Sequence, residues 1–331
     1  MRRLPILVAL GVLISACGGG APATPAASAG PKVHLSVSYS NLVPDNLPVW
    51  IAKEAGIFDR NGLDVELTLV NSTQGIPSLL SGEVQLADIG GSEALSAASG
   101  GADVVVLANL TPVTPYLFYV APGITDATQL KGKKVGSTSP GGSADIANKL
   151  ALKRLGLDPA KDVTVVNLGS VANVTAGLLA GSVQASVSHP PDSAQLEAKG
   201  FHPILDLAKD KTPFASVTVL TRKSFIATSK ATVQRFVDSV VEGIAREKKD
   251  RAFGLQVLEK YMKSTDDALM GPAFDYYAKE VVQQPPYCAA NQFQPSQEVL
   301  GAINEKAKSF DLTKLYDNSF LKSAADRGLA K

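Results

Sequence analysis

Small hydroxyl and glycine residues, rather than clustered ionisable ones, are the chemistry-bearing groups of this chain. The densest run is Gly136-Ser137-Thr138-Ser139-Pro140-Gly141-Gly142-Ser143-Ala144-Asp145, between apolar Val135 and a helical pattern. Glycines such as Gly142 let backbone N–H groups approach a ligand, and a helix N-terminus favours an anion there. Thr138, Ser139 and Ser143 add hydroxyl donors. An ordinary capped turn is the simpler reading, although the run holds more small polar residues than a cap needs. Gly90-Gly91-Ser92-Glu93 repeats the arrangement. Ser92 suits an N-cap. Glu93 either stabilises the first turn from the surface or faces a cleft, where it selects an amine or N–H donor and repels a carboxylate. Ser188-His189-Pro190-Pro191-Asp192 holds the corresponding place further on, with His189 and Asp192 either structural or ligand-facing. Ser40-Asn41 and Thr111 follow two other strand patterns.

Catalytic signatures are missing from the sequence. It has no G-x-S-x-G elbow, P-loop or G-x-G-x-x-G. The three histidines, His34, His189 and His202, are not spaced with Cys17 or Cys288 as a zinc site requires. A non-enzyme without metal or cofactor is therefore expected. Cys288 reads as an inert thiol, and Trp50 as either core or aromatic wall.

The elements that must position these residues alternate. Strand patterns cover residues 33–40, 65–70, 84–89 and 104–110, with helical patterns at 47–55 and 73–81 between them. Gly56 and Gly82 close those helices. Such alternation argues for an α/β fold built on open sheets, whose ligands bind beyond the carboxyl ends of the strands. The pattern then recurs about 100 residues later. Leu79-Leu80-Ser81-Gly82-Glu83-Val84-Gln85 is matched by Leu178-Leu179-Ala180-Gly181-Ser182-Val183-Gln184, and Ala52-Lys53-Glu54-Ala55-Gly56-Ile57 by Leu152-Lys153-Arg154-Leu155-Gly156-Leu157. One unit used twice predicts two lobes, joined by crossing strands at 116–121 and 215–221. The first lobe is expected to hold residues 32–117 and 219–331, the second 118–218. After the second crossing, Ser229 can cap a helix whose Val233, Phe236, Val237, Val240, Val241 and Ile244 form one apolar stripe. Further helices at 252–263, 266–282 and 296–310 are expected to pad the outside of the first lobe.

Composition sets the compartment and the partners. The chain has 331 residues, 45% apolar and 19% charged, enough for a sizeable core and about two domains. Its 32 basic and 31 acidic side chains leave no excess to neutralise a phosphate backbone, so nucleic acid is not an expected partner. Arg2 and Arg3 precede an apolar run too short to span a bilayer, which ends in Ile14-Ser15-Ala16-Cys17. This resembles a bacterial lipobox and implies a signal peptide at 1–16 and a lipid anchor on Cys17. A Gly/Ala/Pro/Ser/Thr tether through 31 follows, leaving the folded part outside the cytoplasm and attached to the membrane by lipid alone.

Val49-Trp50-Ile51-Ala52-Lys53-Glu54-Ala55-Gly56-Ile57-Phe58, the segment from Leu79 to Asp88, Leu130-Lys131-Gly132-Lys133-Lys134-Val135-Gly136 and Leu179-Ala180-Gly181-Ser182-Val183-Gln184-Ala185 together resemble the nitrate/sulfonate/taurine solute-binding proteins. That family also includes binders of thiamine-pyrimidine precursors. The resemblance covers roughly residues 33–260. It departs at Gln85 and Gln184, where relatives often carry Asp, and at the His189 turn, where many carry an aromatic residue. It implies a two-lobed type 2 periplasmic-binding-protein fold, a small polar or anionic ligand (sulfonate, carboxylate or pyrimidine-type), an ABC permease with its ATPase as partners, and a monomer. Two other functions fit the same pattern: a ligand sensor for a membrane regulator, and a pyrimidine-synthesis enzyme. The enzyme branch uses a His/Cys-rich iron site.

Overall fold

Where apolar side chains alternate, the chain forms strands; where they recur at helical spacing, it covers those strands. The computed structural model describes residues 31–209 and 211–330. The signal peptide, Cys17 and nearly all of the tether expected from the sequence lie outside the described residues.

Strand β1 (Val33–Tyr39) buries Leu35, Val37 and Tyr39 on one face. Helices α1 (Leu47–Glu54) and α2 (Ile57–Arg60), strand β2 (Leu63–Leu69), helix α3 (Gly75–Ser81), strand β3 (Leu86–Ile89), helix α4 (Gly91–Ser99) and strand β4 (Val105–Asn109) follow. The chain then builds strands β5 (Leu117–Val120) and β6 (Lys134–Ser137), helix α5 (Ser143–Arg154), strand β7 (Thr164–Asn167), helix α6 (Val171–Leu179), strand β8 (Ala185–Ser188), helix α7 (Asp192–Glu197) and strand β9 (His202–Asp206). It returns through strand β10 (Thr218–Thr221) to helices α8 (Lys223–Lys249), α9 (Arg251–Met262), α10 (Asp267–Tyr276), α11 (Ala290–Gly301), α12 (Glu305–Lys308) and α13 (Ser319–Asp326).

Two five-stranded mixed sheets result, with orders β2-β1-β3-β10-β4 and β7-β6-β8-β5-β9. The two orders are equivalent strand for strand. In each, the first three strands run parallel, and the fourth is a crossing strand that pairs antiparallel with both neighbours. Each crossing strand also carries one register irregularity, at Val219/Leu220 and at Phe118/Tyr119. The predicted boundaries at 117/118 and 218/219 fall inside β5 and β10. The chain changes sheet in the loops before each of those strands.

The repeated glutamines explain why the repeat survives at Gln85 and Gln184. Gln85 Oε1 accepts the Ser36 N–H (2.9 Å) and its Nε2 donates to Gly82 O (3.2 Å). Gln184 Oε1 accepts the Lys134 N–H (3.1 Å) and its Nε2 donates to Gly181 O (2.8 Å). Each side chain thus ties the second strand of its sheet, β1 or β6, to the turn after α3 or α6. Gly82 and Gly181 hold φ of +86° and +71° in those turns, a conformation that side chains disfavour.

Three local expectations are corrected, and a fourth is refined. Ser92 is not the N-cap of α4; Gly90 is, in extended conformation, because the buried turn leaves no room for a larger cap. Ser229 is non-helical, with φ −139° and ψ 32°, and marks a kink within α8 where two helices meet, so the helix with the apolar stripe does begin there. The single helix expected at 296–310 is two. α11 starts at Ala290, where Gln292 Oε1 accepts the Ala289 N–H, and Asn304 caps α12 through Lys306 N and Ala307 N. Nor does α11 pad one side only. It packs on both α4 and α5, with Phe293, Val299 and Leu300 in a core cluster that also holds Ile89 of the first sheet and Val135 of the second. α9 does lie against α1, with α10 packed on α9, and Trp50 of α1 is fully buried and stacked on Tyr261.

Removing either glutamine side chain loses two hydrogen bonds, each contributing about 1 kcal/mol. Gln85→Ala and Gln184→Ala should each lower unfolding stability in urea by about 1–3 kcal/mol, with no change in far-ultraviolet dichroism before the transition.

Candidate functional site

The carboxyl ends of β1 and β3 face those of β6 and β8 across one cleft. Ser40 and Asn41 enter it after β1, Gly90 and Glu93 after β3, Thr138 and Ser143 after β6, and His189 after β8. The segments that join the sheets contribute Tyr116 and Ser216. About 410 Å³ of non-atom space, part of it open to solvent, lies among them. A second compartment, about 360 Å³ of non-atom space that includes open solvent, shares Tyr116, Thr138, Ala144, Val171 and His189, and continues between Val174, Leu178 and Val187. The first compartment is polar and the second mainly apolar.

Hydrogen bonds already cross this cleft. Asn41 Oδ1 accepts the Val171 N–H at the start of α6 (3.3 Å). Ser139 Oγ donates to Glu93 Oε1 (3.4 Å), and Ser143 Oγ donates to Ser216 O (2.8 Å). The two halves are thus drawn together by groups from both sheets.

Of the residues singled out from sequence, Ser40, Asn41, Glu93, Thr138, Ser143 and His189 line the first compartment. Ser139 stands at the mouth, beside Ser72, Thr73 and Pro140. Gly142 is the N-cap of α5, and a Cβ there would stand 2.3 Å from Ser139 Oγ and 2.7 Å from Glu93 Oε1. The other four do not line the cavity. Gly91 packs against Ala215 and Phe293, and its N–H bonds to Ala215 O (3.0 Å). Ser92 is fully buried and donates to Glu93 Oε2 (2.8 Å). Thr111 lies beneath the site and donates to Asp45 Oδ1 (2.6 Å). Asp192 sits behind Thr175, whose hydroxyl it accepts (3.2 Å). These four support the lining instead of forming it.

Asp45 is the residue that sequence reasoning missed. It is 2% exposed, precedes α1 and lines the cavity. It follows a loop turn rather than a strand, so a search of strand ends passes over it; Pro44-Asp45 ahead of a helical pattern was the available signal. Tyr116 was read only as part of a crossing strand. Its ring stands 5.4 Å from that of His189, and its hydroxyl lies 3.1 Å from Ser216 Oγ. His189 Nδ1 lies 3.0 Å from Pro190 O and 3.0 Å from Tyr277 Oη.

No lysine or arginine lines either compartment among the described residues. Burial raises the Glu93 carboxyl above its usual range, an effect partly offset by hydrogen bonds from Ser92, its own backbone and Ser139. Asp192 is raised by burial, with His189 and Thr175 acting against the shift. Behind the cavity, Asp88 is pushed well up by burial and by the charge of Asp45. Neither of its carboxyl oxygens has a hydrogen-bond partner. Glu247 on α8 is likewise unpartnered, and burial above all pushes it up to about 8.

With that geometry in place, comparison with known proteins settles the relationship. The family model described as NMT1/THI5 like matches residues 43–250. The chain belongs to the NMT1/THI5-like family. YtlA of Bacillus subtilis is 24% identical over 202 residues, 58% of this chain and 60% of YtlA. The 4-amino-5-hydroxymethyl-2-methylpyrimidine phosphate synthase THI13 of Saccharomyces cerevisiae is 30% identical over 148 residues, 44% of this chain and 42% of the synthase. The chain thus spans well under two thirds of either relative. The periplasmic aliphatic sulphonate binding protein SsuA of Escherichia coli superposes with a TM-score of 0.68 at 20% identity, over 86% of this chain and 92% of SsuA. A ligand-binding component of an ABC-type import system from Staphylococcus aureus superposes with a TM-score of 0.73 at 14% identity, over 88% and 99%. The family member described here therefore has the periplasmic-binding-protein fold, as its resemblance implied.

The buried acids give a pH prediction. Glu247 binds its proton more tightly in the folded chain, near 8, than at the ordinary value of 4.5. Between those values the unfolded chain ionises first, so stability is greatest at the acid end and falls as pH rises towards 8. Glu247→Gln should remove that slope. Its Tm should gain on the wild type by several degrees between pH 5 and 8, read by dichroism melts; parallel curves would contradict the assignment.

Proposed function

We propose that this protein is the extracytoplasmic capture component of an ABC importer. Two lobes close on a small solute and present the closed form to a permease with its ATPase. The observation that carries this reading is the cleft itself: polar side chains from both sheets face one cavity, two hydrogen bonds already span it, and a third ties Ser143 to a joining segment. A cleft between two halves, with convergent polar groups beside apolar surface, is the usual form of a small-molecule site. Closing hinged halves around such a site is a known means of signalling occupancy.

The membership of a family with the periplasmic-binding-protein fold supports this reading, as do the roles of SsuA and of the Staphylococcus aureus import component. A synthase is also among the relatives, so the non-catalytic reading rests on the cleft's own chemistry. Ser143 donates to a backbone carbonyl instead of a base, and His189 Nδ1 faces Pro190 O and Tyr277, with no serine or cysteine nucleophile bonded to it. On this reading Cys17 carries the lipid, the tether spans the distance to the fold, and a single copy suffices because both halves of the site come from one chain.

Two measurements test the proposal. A thermal-shift screen over amines, carboxylates, sulfonates and pyrimidines should find a stabilising ligand, worth about 2.7 kcal/mol at a hundredfold excess over Kd. Gly142→Leu with Ser143→Leu should abolish that shift while the unliganded dichroism spectrum stays unchanged. In bacterial fractionation, Cys17→Ser should move the protein out of the membrane pellet; retention there would count against the anchor.

A further inference from the structure

The helix N-termini at the cleft point to an anion only until their donors are traced. At α4, Gly91 N–H is taken by Ala215 O (3.0 Å). At α5, Gly141 N–H is taken by Asp145 Oδ2 (2.8 Å), and at α6, Val171 N–H by Asn41 Oδ1 (3.3 Å). Three hydroxyls follow suit: Ser92 and Ser139 donate to Glu93, and Ser143 donates to Ser216 O. These six donors are thus bonded to acceptors of the chain, which leaves, among the described residues, the Thr138 hydroxyl and the Ser143 and Ala144 N–H groups as the open donors on the second-sheet side of the cavity.

Against these, the cavity presents charged acceptors. Asp45 is a carboxylate 2% exposed that lines it, and Glu93 is a second. No lysine or arginine on the lining opposes them among the described residues. A carboxylate or sulfonate placed here would meet like charge at low dielectric, where repulsion is strongest. The aromatic ring of Tyr116 borders both compartments and offers a face that attracts a cation. Beyond it, Val174, Leu178 and Val187 close the far end with apolar surface.

We infer that the solute is a small organic cation: a protonated amine held between Asp45 and Glu93, bearing a compact apolar group that fills the compartment beyond Tyr116. This deepens the capture reading and depends on it. A fixed, desolvated carboxylate pair gives an ammonium group charge-assisted hydrogen bonds, and the apolar end adds burial without further specificity.

The test uses the full chain in detergent, with cyclohexylammonium and 2-phenylethylammonium as cationic probes. Cyclohexanesulfonate, benzenesulfonate and nitrate serve as anions at equal concentration. The ammonium probes should raise Tm and the anions should not. Glu93→Gln should weaken ammonium binding at least tenfold by calorimetry while its unliganded Tm stays within a few degrees of wild type. Asp45→Asn should act in the same direction, with Thr111→Val as a control that disturbs the support of Asp45 without removing its charge. Stabilisation by the sulfonates or nitrate, retained or strengthened in Glu93→Gln, would overturn the ligand class and leave the capture reading standing. Silence from every probe would also overturn the ligand class. If heat denaturation of the purified chain then releases no bound solute and the broader screen is empty, the capture reading fails with it.

Discussion

One buried carboxylate, Asp45, sets the electrostatic terms for everything around the cleft. Thr111 holds it from below, and its charge bears on Asp88, Glu247, Tyr116 and Tyr277, raising the pKa of each together with the effect of burial. A low-dielectric interior does not tolerate several unpaired negative charges. The fold therefore concentrates charge at the cavity wall and pushes the acids behind it towards their neutral forms. Asp88 and Glu247, with no hydrogen-bond partners, are raised most by their burial. Glu93 is the intermediate case, raised by burial yet held by Ser92 and Ser139.

Movement between the halves is constrained by what crosses between the sheets. The two joining segments run side by side, with an isolated bridge between Val113 and Pro213 and a hydrogen bond from Thr114 N to Thr212 O (3.0 Å). α11 adds a third connection, because it packs on α4 from one half and α5 from the other. Leu300 on that helix lies where a Cβ at Gly141 would stand 3.2 Å away. An opening that separates Glu93 from Ser139 must therefore slide α5 over α11 or carry α11 with it. Packed interfaces favour such discrete rearrangements over continuous deformation.

Much of the scaffold was legible because its signals are local. Apolar alternation gave the strands, and Gly56 and Gly82 marked helix ends that the backbone does place at positive φ. The Gln85 and Gln184 repeat was visible as a spacing, although only the coordinates show each side chain closing the same two-bond staple. The strand-end rule found six of the side chains that line the first compartment. Gly91, Ser92, Thr111 and Asp192 lie outside that lining, because a strand end specifies a neighbourhood and leaves open which side chain turns inward. Asp45 escaped for a physical reason too. It reaches the cavity from an irregular loop, and its supporting contact, Thr111, is 66 residues away in the chain. Pairings of that kind have no period to detect.

The same non-local pairings decide what a cleft of this architecture prefers. Helix N-termini carry a default bias towards negative ligands, since free N–H groups and aligned peptide dipoles converge there. That bias is worth little once the chain's own acceptors occupy the donors. In this protein Glu93 sits in the first turn of α4 and Asp145 in that of α5, so two of the three converging dipoles already face a carboxylate of their own. Asn41 satisfies the third with a neutral acceptor that also bridges the halves. On the proposed reading, Glu93 is what turns the surface offered to solute towards cations, with no change in strand order or helix position, whereas the charge of Asp145 is paired with Lys149 (2.6 Å). Shared architecture therefore leaves ligand charge undetermined, and the residues that set it are those whose oxygens remain facing the cavity after the backbone donors are satisfied.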